Sequence, residues 1–178
     1  MGLALDVRNF MTVTQPEFTI ATADVLQIAD HEISGLLTQV YVAGGFTTPE
    51  EAASLFEPSA VRTRGILIGA RDHRNSNLAG FIIVVPPDSP ARRLATNNEG
   101  ELHLLGVLPG YRRHGLGRQL IDASIDKASR LGYSKLILWT QFSMISAQKL
   151  YEAAGFQYIN DIERNGRKFK VYERALCD

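Results

Sequence analysis

The sequence predicts an α/β protein of the α+β type, and three observations carry that expectation. Seven short β-rich runs and four helical stretches follow in the order β-α-α-β-β-β-α-β-α-β-β, without the strict alternation of a doubly wound sheet. The dipeptide Asn165-Gly166 between the last two runs is a hairpin signal, so at least part of the sheet is antiparallel. Hydrophobic residues make up 45% of the chain and charged residues 21%, which suits a folded core and not a disordered chain.

Residues 1–16 show no clear period and read as a loose leader; 17–178 read as a single domain. Phe18 to Thr22 is the first strand. Asp24 then stands as an N-cap before an apolar stripe of Val25, Ile28, Ala29, Ile33, Leu36, Leu37, Val40 and Tyr41, stopped by Gly44-Gly45. Thr48-Pro49-Glu50-Glu51 is a capping box with proline at N1, opening a helix that carries Ala52, Leu55 and Phe56 and frays near Pro58. Gly65–Ala70 and Leu78–Val85 flank the polar turn His73–Asn77 and form a hairpin, which Pro86-Pro87 ends. Glu101–Val107 is the next strand. Gly115–Leu131 is a helix burying Leu116, Leu120, Ile125 and Leu131, with Gly132 as its C′ residue. Lys135–Thr140 is a strand, and Ala147, Leu150, Tyr151 and Ala154 mark one face of a short helix closed by Gly155. Phe156–Glu163 and Lys168–Glu173 complete the sheet around Arg164–Arg167.

Lys plus Arg equals Asp plus Glu at 19 each, so no global field points to a nucleic-acid partner. The one cysteine, Cys177, can form neither an internal disulfide nor a multi-cysteine metal site, and no metal is expected. A cytoplasmic location fits that usage. Apolar runs such as Phe81–Val85 are too short to cross a bilayer.

Positive charge is concentrated locally. A strand leads through Val107-Leu-Pro-Gly-Tyr into Arg112-Arg113-His114-Gly115-Leu116-Gly117-Arg118 and then a helix. Glycines allow positive φ and close backbone approach, and a helix start offers free N–H groups and a favourable dipole, so the turn suits a phosphate. A dinucleotide fingerprint fails, because Leu120 stands where a third small residue belongs and Tyr133–Leu138 holds no acid; the Gly-Lys-Ser/Thr of a triphosphate loop is absent.

Arg112-x-x-Gly115-x-Gly117, preceded by Leu105-x-Val107-x-Pro109, resembles the signature of the GNAT superfamily of acyl-CoA-dependent N-acetyltransferases. Downstream, Ala147-x-x-Leu150-Tyr151-Glu152-x-x-Gly155-Phe156 is similar to a second segment of that family, and the element order covers Phe18 to Glu173. The resemblance implies a mostly antiparallel sheet of about seven strands with helices on both faces. It implies acetyl-CoA as co-substrate, with its pyrophosphate held by backbone N–H groups from Arg113 to Arg118. Leu105 and Val107 would meet the pantetheine through the main chain where the fourth and fifth strands splay. The family's frequent Asn seven residues before the Tyr is Met144 here, so the pantetheine contact usual in the family is expected either to be missing or to come from Ser143 or Ser146.

Transfer to an amine needs a base, since a primary amine of pKa about 10 is mostly protonated at neutral pH. Strand alternation puts Glu101, His103, Leu105 and Val107 on one face. The resemblance gives the base position to Glu101, which as a strand-start residue is equally a solvated carboxylate. His103 ranks second, its ordinary pKa suiting the task. The resemblance also gives Tyr151 the role of acid to the leaving thiolate. The acceptor walls are expected from Tyr41, Phe46 and residues 160–168. The acceptor itself, a small-molecule or peptide amine, is left open, as is an acyl group other than acetyl. The competing function is a non-catalytic acyl-CoA-binding regulatory module. The last strand, if at the sheet edge, offers a route to a homodimer.

Overall fold

The computed structural model describes residues 17–176; the expected leader over 1–16 and Cys177 lie outside the described residues. β1 (Phe18–Thr22), β2 (Ile66–Asp72), β3 (Leu78–Val85), β4 (Glu99–Val107), β5 (Lys135–Gln141), β6 (Gln157–Arg164) and β7 (Arg167–Ala175) form one sheet in the order β1-β2-β3-β4-β5-β7-β6. Every neighbouring pair is antiparallel except β4 with β5. α1 (Asp30–Leu37), α2 (Pro49–Leu55) and α3 (Pro58–Arg62) pack on one face; α4 (Leu116–Arg130) and α5 (Ile145–Ala153) pack on the other.

Alternation along β3 explains the two-sided core. Phe81, Ile83 and Val85 join Ile33, Leu36, Leu37 and Val61 on the α1–α3 face, while Ile82 and Val84 join Leu116, Leu120 and Ile121 on the α4 face. All five of these β3 residues are fully buried, so the uninterrupted apolar run marks a strand covered on both sides.

Four expectations need correction. Asp24 caps no helix: residues 23–27 form tight turns, with Gln27 at φ 51, and Val25 is exposed. The detour seats Leu26 and Ile28 against Gly69, where a side chain would clash. α1 therefore starts at Asp30, with the Glu32 carboxylate accepting from the Ala29 N–H at 2.9 Å, and it continues as a π-helical turn, Thr38–Val42. Pro58 starts α3 instead of ending α2, being at the first turn where its missing N–H costs nothing. Leu131 is exposed, since the helix has ended there. The final strand, β7, is not an edge; β6 is, carrying exposed Tyr158 and Ile159.

The capping box at Thr48 and Glu51 forms as expected. Asn165 (φ 50) and Gly166 (φ 71) give the left-handed pair that a tight β6–β7 turn requires.

Candidate active site

The site exists because one strand pair fails to continue. β4 and β5 are in register only at Glu99↔Lys135, Gly100↔Leu136 and Glu101↔Ile137, whereas β5 stays paired with β7 as far as Gln141↔Phe169. Beyond Glu101 the two strands diverge. The gap opens into a cleft of about 830 Å3 whose lining includes Tyr41, His103, Leu105, Trp139 and Tyr151.

β4 itself is irregular on its other side. Its pairing with β3 slips between Phe81↔Gly106 and Ile83↔His103, so β4 carries one extra residue there, and Leu104 has φ 54. This bulge reverses the alternation. Glu101 and His103 lie opposite Val85 and Ile83 on the α1–α3 face, while Leu105 and Val107 pack with the α4 face. The expected single face for these four residues is thus overturned; strict period-two counting does not survive an inserted residue.

Glu101 and His103 form a buried pair. One carboxylate oxygen of Glu101 accepts from the backbone N–H groups of Arg93 (2.7 Å), Leu94 and Ala95 (2.7 Å); the other meets His103 Nε2 at 2.8 Å. Glu101 is fully buried and not part of the cleft lining, whereas His103 lines it. A solvated strand-start glutamate is ruled out, and Glu101 faces the histidine and not an acceptor. Burial alone would raise the Glu101 carboxyl, but the hydrogen bonds from His103 and the three amides outweigh it and leave the group below its ordinary range. Burial lowers the His103 imidazole against the opposing pull of Glu101, with nearby Arg64 and Arg93 adding to the lowering. A neutral ring donating Nε2–H to Glu101 keeps Nδ1 as its basic nitrogen. The ring also meets Trp139 edge-on, with centroids 4.7 Å apart.

The turn before α4 has the shape of an anion cradle. Arg113 (φ 67) and Gly115 (φ 74) are both left-handed, and Gly115 is the N-cap of α4. Arg112, Arg113, His114 and Gly115 are exposed. Leu116, by contrast, is buried and anchors the helix, and Gly117 passes so close to Leu150 that a Cβ would lie 2.8 Å from its Cδ2. Arg118 is committed to Asp122 at 2.9 Å and to the Ala153 carbonyl at 2.8 Å. The Leu105 carbonyl accepts from the Tyr41 hydroxyl at 3.0 Å and the Val107 carbonyl from Arg112 Nε at 3.1 Å; each keeps a second lone pair.

Tyr151 is buried against Phe156 and Tyr172 and lines the cleft, and its hydroxyl is engaged by no protein group among the described residues. Burial holds that hydroxyl above the ordinary phenol range, as it does Tyr41, so both stay protonated. Tyr41 and Phe46 line the cleft, and Arg164, Asn165 and Arg167 join them from the last hairpin. Ser143 and Ser146 are exposed and outside the cleft lining. Met144 lines it instead, its sulfur accepting from Thr140 Oγ1 at 3.4 Å. Met144 is the N-cap of α5, so Ser143 and Ser146 fall on either side of the helix start.

Arg64, Arg93, Trp139 and Gln148 carry no motif in the sequence. Gln148 is buried and donates from Nε2 to the carbonyls of Gln141 and Phe142, both at 3.0 Å, fixing the end of β5 against α5. A buried polar residue on an otherwise apolar helix face is the one signal that sequence offered for it.

The model of the acetyltransferase (GNAT) family matches residues 31–156, more than half of the chain. The mycothiol acetyltransferase of Propionibacterium freudenreichii is 30% identical over 116 residues, covering 65% of this chain and 35% of that protein. The ribosomal-protein-S18-alanine N-acetyltransferase of Escherichia coli is 39% identical over 59 residues, 33% of this chain and 40% of that protein. Its crystal structure matches at TM-score 0.65 and 20% identity, over 90% of this chain and 94% of that one. A Bacillus subtilis acetyltransferase in complex with CoA matches at TM-score 0.63 and 20% identity, over 90% of this chain and 100% of that one. The structural likeness speaks for the fold alone. The matches span no more than about two fifths of these curated relatives.

Proposed function

The chain belongs to the acetyltransferase (GNAT) family, and from that premise we propose that it is an acetyl-CoA-dependent N-acetyltransferase acting by direct transfer on a primary amine of a small molecule or peptide. The observation that carries the reading is that a neutral buried histidine and an unengaged tyrosine hydroxyl line one cleft at the split between β4 and β5.

Acetyl-CoA fits the groups available. Two left-handed residues, a helix N-terminus and exposed arginine side chains at 112–113 suit a pyrophosphate. The co-substrate supplies an activated acyl thioester. His103 is the residue that receives the amine proton, through Nδ1, as the C–N bond forms and the C–S bond breaks. Glu101 is a positioning residue, fixing the ring and its tautomer and stabilising the imidazolium. Tyr151 returns a proton to the departing sulfur. Main-chain groups of Leu105 and Val107 would align the pantetheine.

The test is CoA thiol release from acetyl-CoA by the purified chain across an amine panel. Acceptor-dependent release is expected. Tight acetyl-CoA binding with no release from any amine would overturn catalysis and leave the acyl-CoA-binding module.

A further inference from the structure

Resting on the acetyl-transfer reading, we propose that the amine acceptor also bears an oxyanion group, a carboxylate or a phosphate, held by Arg64 at the acceptor end of the cleft. The charge lining the cleft is lopsided. Arg64, Arg93, Arg164 and Arg167 line it, and the one acid among the described lining residues is Glu51. That carboxylate is already committed, to Arg167 at 2.7 Å and to Thr47 Oγ1 at 2.9 Å. The excess is local, because the whole chain balances 19 basic against 19 acidic residues.

Arg64 is the telling member. Its side chain is half-buried, donates one hydrogen bond, from a terminal nitrogen to the Leu55 carbonyl at 2.7 Å, and joins no ion pair among the described residues. A guanidinium has five N–H donors in a planar fork, so most of its capacity is unspent. Withdrawing a cation from water without a counter-charge is costly, and burial correspondingly pushes the Arg64 pKa down. Arg64, Arg93, Tyr41 and His103 line the same cleft, so an anion held by Arg64 shares that cleft with the proposed base. Arg164, which also lines the cleft, stacks over Trp139, 6.0 Å from its ring centroid.

A bare alkylammonium entering this field is repelled. An amine with its own oxyanion brings the missing counter-charge, and its bidentate fit to Arg64 fixes the distance from anion to nitrogen. Carboxylate and phosphate share that chemistry.

Binding to the CoA-loaded protein, which cannot turn over, tests the site apart from catalysis. The probes, followed by calorimetry, are phenylalanine against phenylalaninamide and O-phosphoethanolamine against ethanolamine. The anion-bearing member of one pair is expected to bind at least about tenfold tighter, the factor one charge-assisted hydrogen bond carries, and the pair that responds separates carboxylate from phosphate. Arg64→Gln should bring that ratio close to one, and Arg64→Lys should keep part of it; circular dichroism checks both folds, and Arg93→Gln supplies a weaker loss should Arg64→Gln unfold. Equal affinities within both pairs, no binding of any probe, or a ratio indifferent to these substitutions overturns the proposal. A ratio without CoA release in parallel turnover assays keeps the anion site and overturns acetyl transfer; release without a ratio does the reverse.

Discussion

At the proposed cofactor end of the site, the candidate phosphate-binding groups come from one consecutive stretch, Arg112–Arg118, whereas at the proposed acceptor end the cleft-lining residues come from segments as distant as Tyr41, Arg64, Arg93, His103 and Arg167. The first end is local chemistry: a left-handed glycine, a helix start and adjacent cations need only the turn to form. The second is assembled by the sheet, and its electrostatics arise from residues that meet only when α1–α3, the loop after β3 and the last hairpin converge.

The largest expected effect falls where the two ends meet. Tyr151→Phe should lower kcat by about 100-fold or more with little change in acetyl-CoA affinity, as for a group acting mainly in the transition state; an unchanged kcat in steady-state assays removes Tyr151 from the chemistry. Next is Glu101→Gln, expected to cost about 10- to 100-fold in kcat/KM. Losing the carboxylate charge removes the pull that raises the His103 pKa, so the acid limb of the pH–rate profile should move to lower pH as the plateau falls. An unshifted limb would detach His103 from the titration.

Paired glycine substitutions probe the local end. Gly115→Ala places a side chain at φ 74 in open space, so its cost is conformational alone: about 1 kcal/mol of stability and a several-fold rise in KM for acetyl-CoA. Gly117→Ala has ordinary φ and instead pushes on the flexible tip of Leu150, and should disturb KM less. Reversal of that order in melts and kinetics would mean that packing and not backbone shape governs the turn.

The smallest effect is on stability against pH. The His103 imidazole is lowered on folding, so the unfolded chain binds its proton first as pH falls; the stability present above about pH 6.5 is lost below it. The lowered Glu101 carboxyl adds a loss of the same sign at more acidic pH. Thermal melts should decline from pH 7 towards pH 5, and His103→Gln should flatten that upper window.

The strands were legible because apolar runs such as Phe81–Val85 have few alternatives, and the Asn165-Gly166 turn because its φ values demand those residues. The start of α1 was misread because Val25 continues the helical stripe in sequence while Gln27, at φ 51, breaks it in space. Ser143 and Ser146 adjoin Met144 in sequence, but which of the three lines the cleft is set by where α5 begins and how it packs.

By itself the sequence determined the glycine turn that opens α4, the Tyr151 helix and the order of elements, all features whose physics is complete within a few neighbouring residues. Tertiary structure alone decided that Leu105 and Val107 face away from Glu101 and His103, because a single extra residue in β4 reverses every side chain after it. It also decided that Arg64 meets no counter-charge among the described residues, since pairing is a property of distance in space, to which position along the chain is blind.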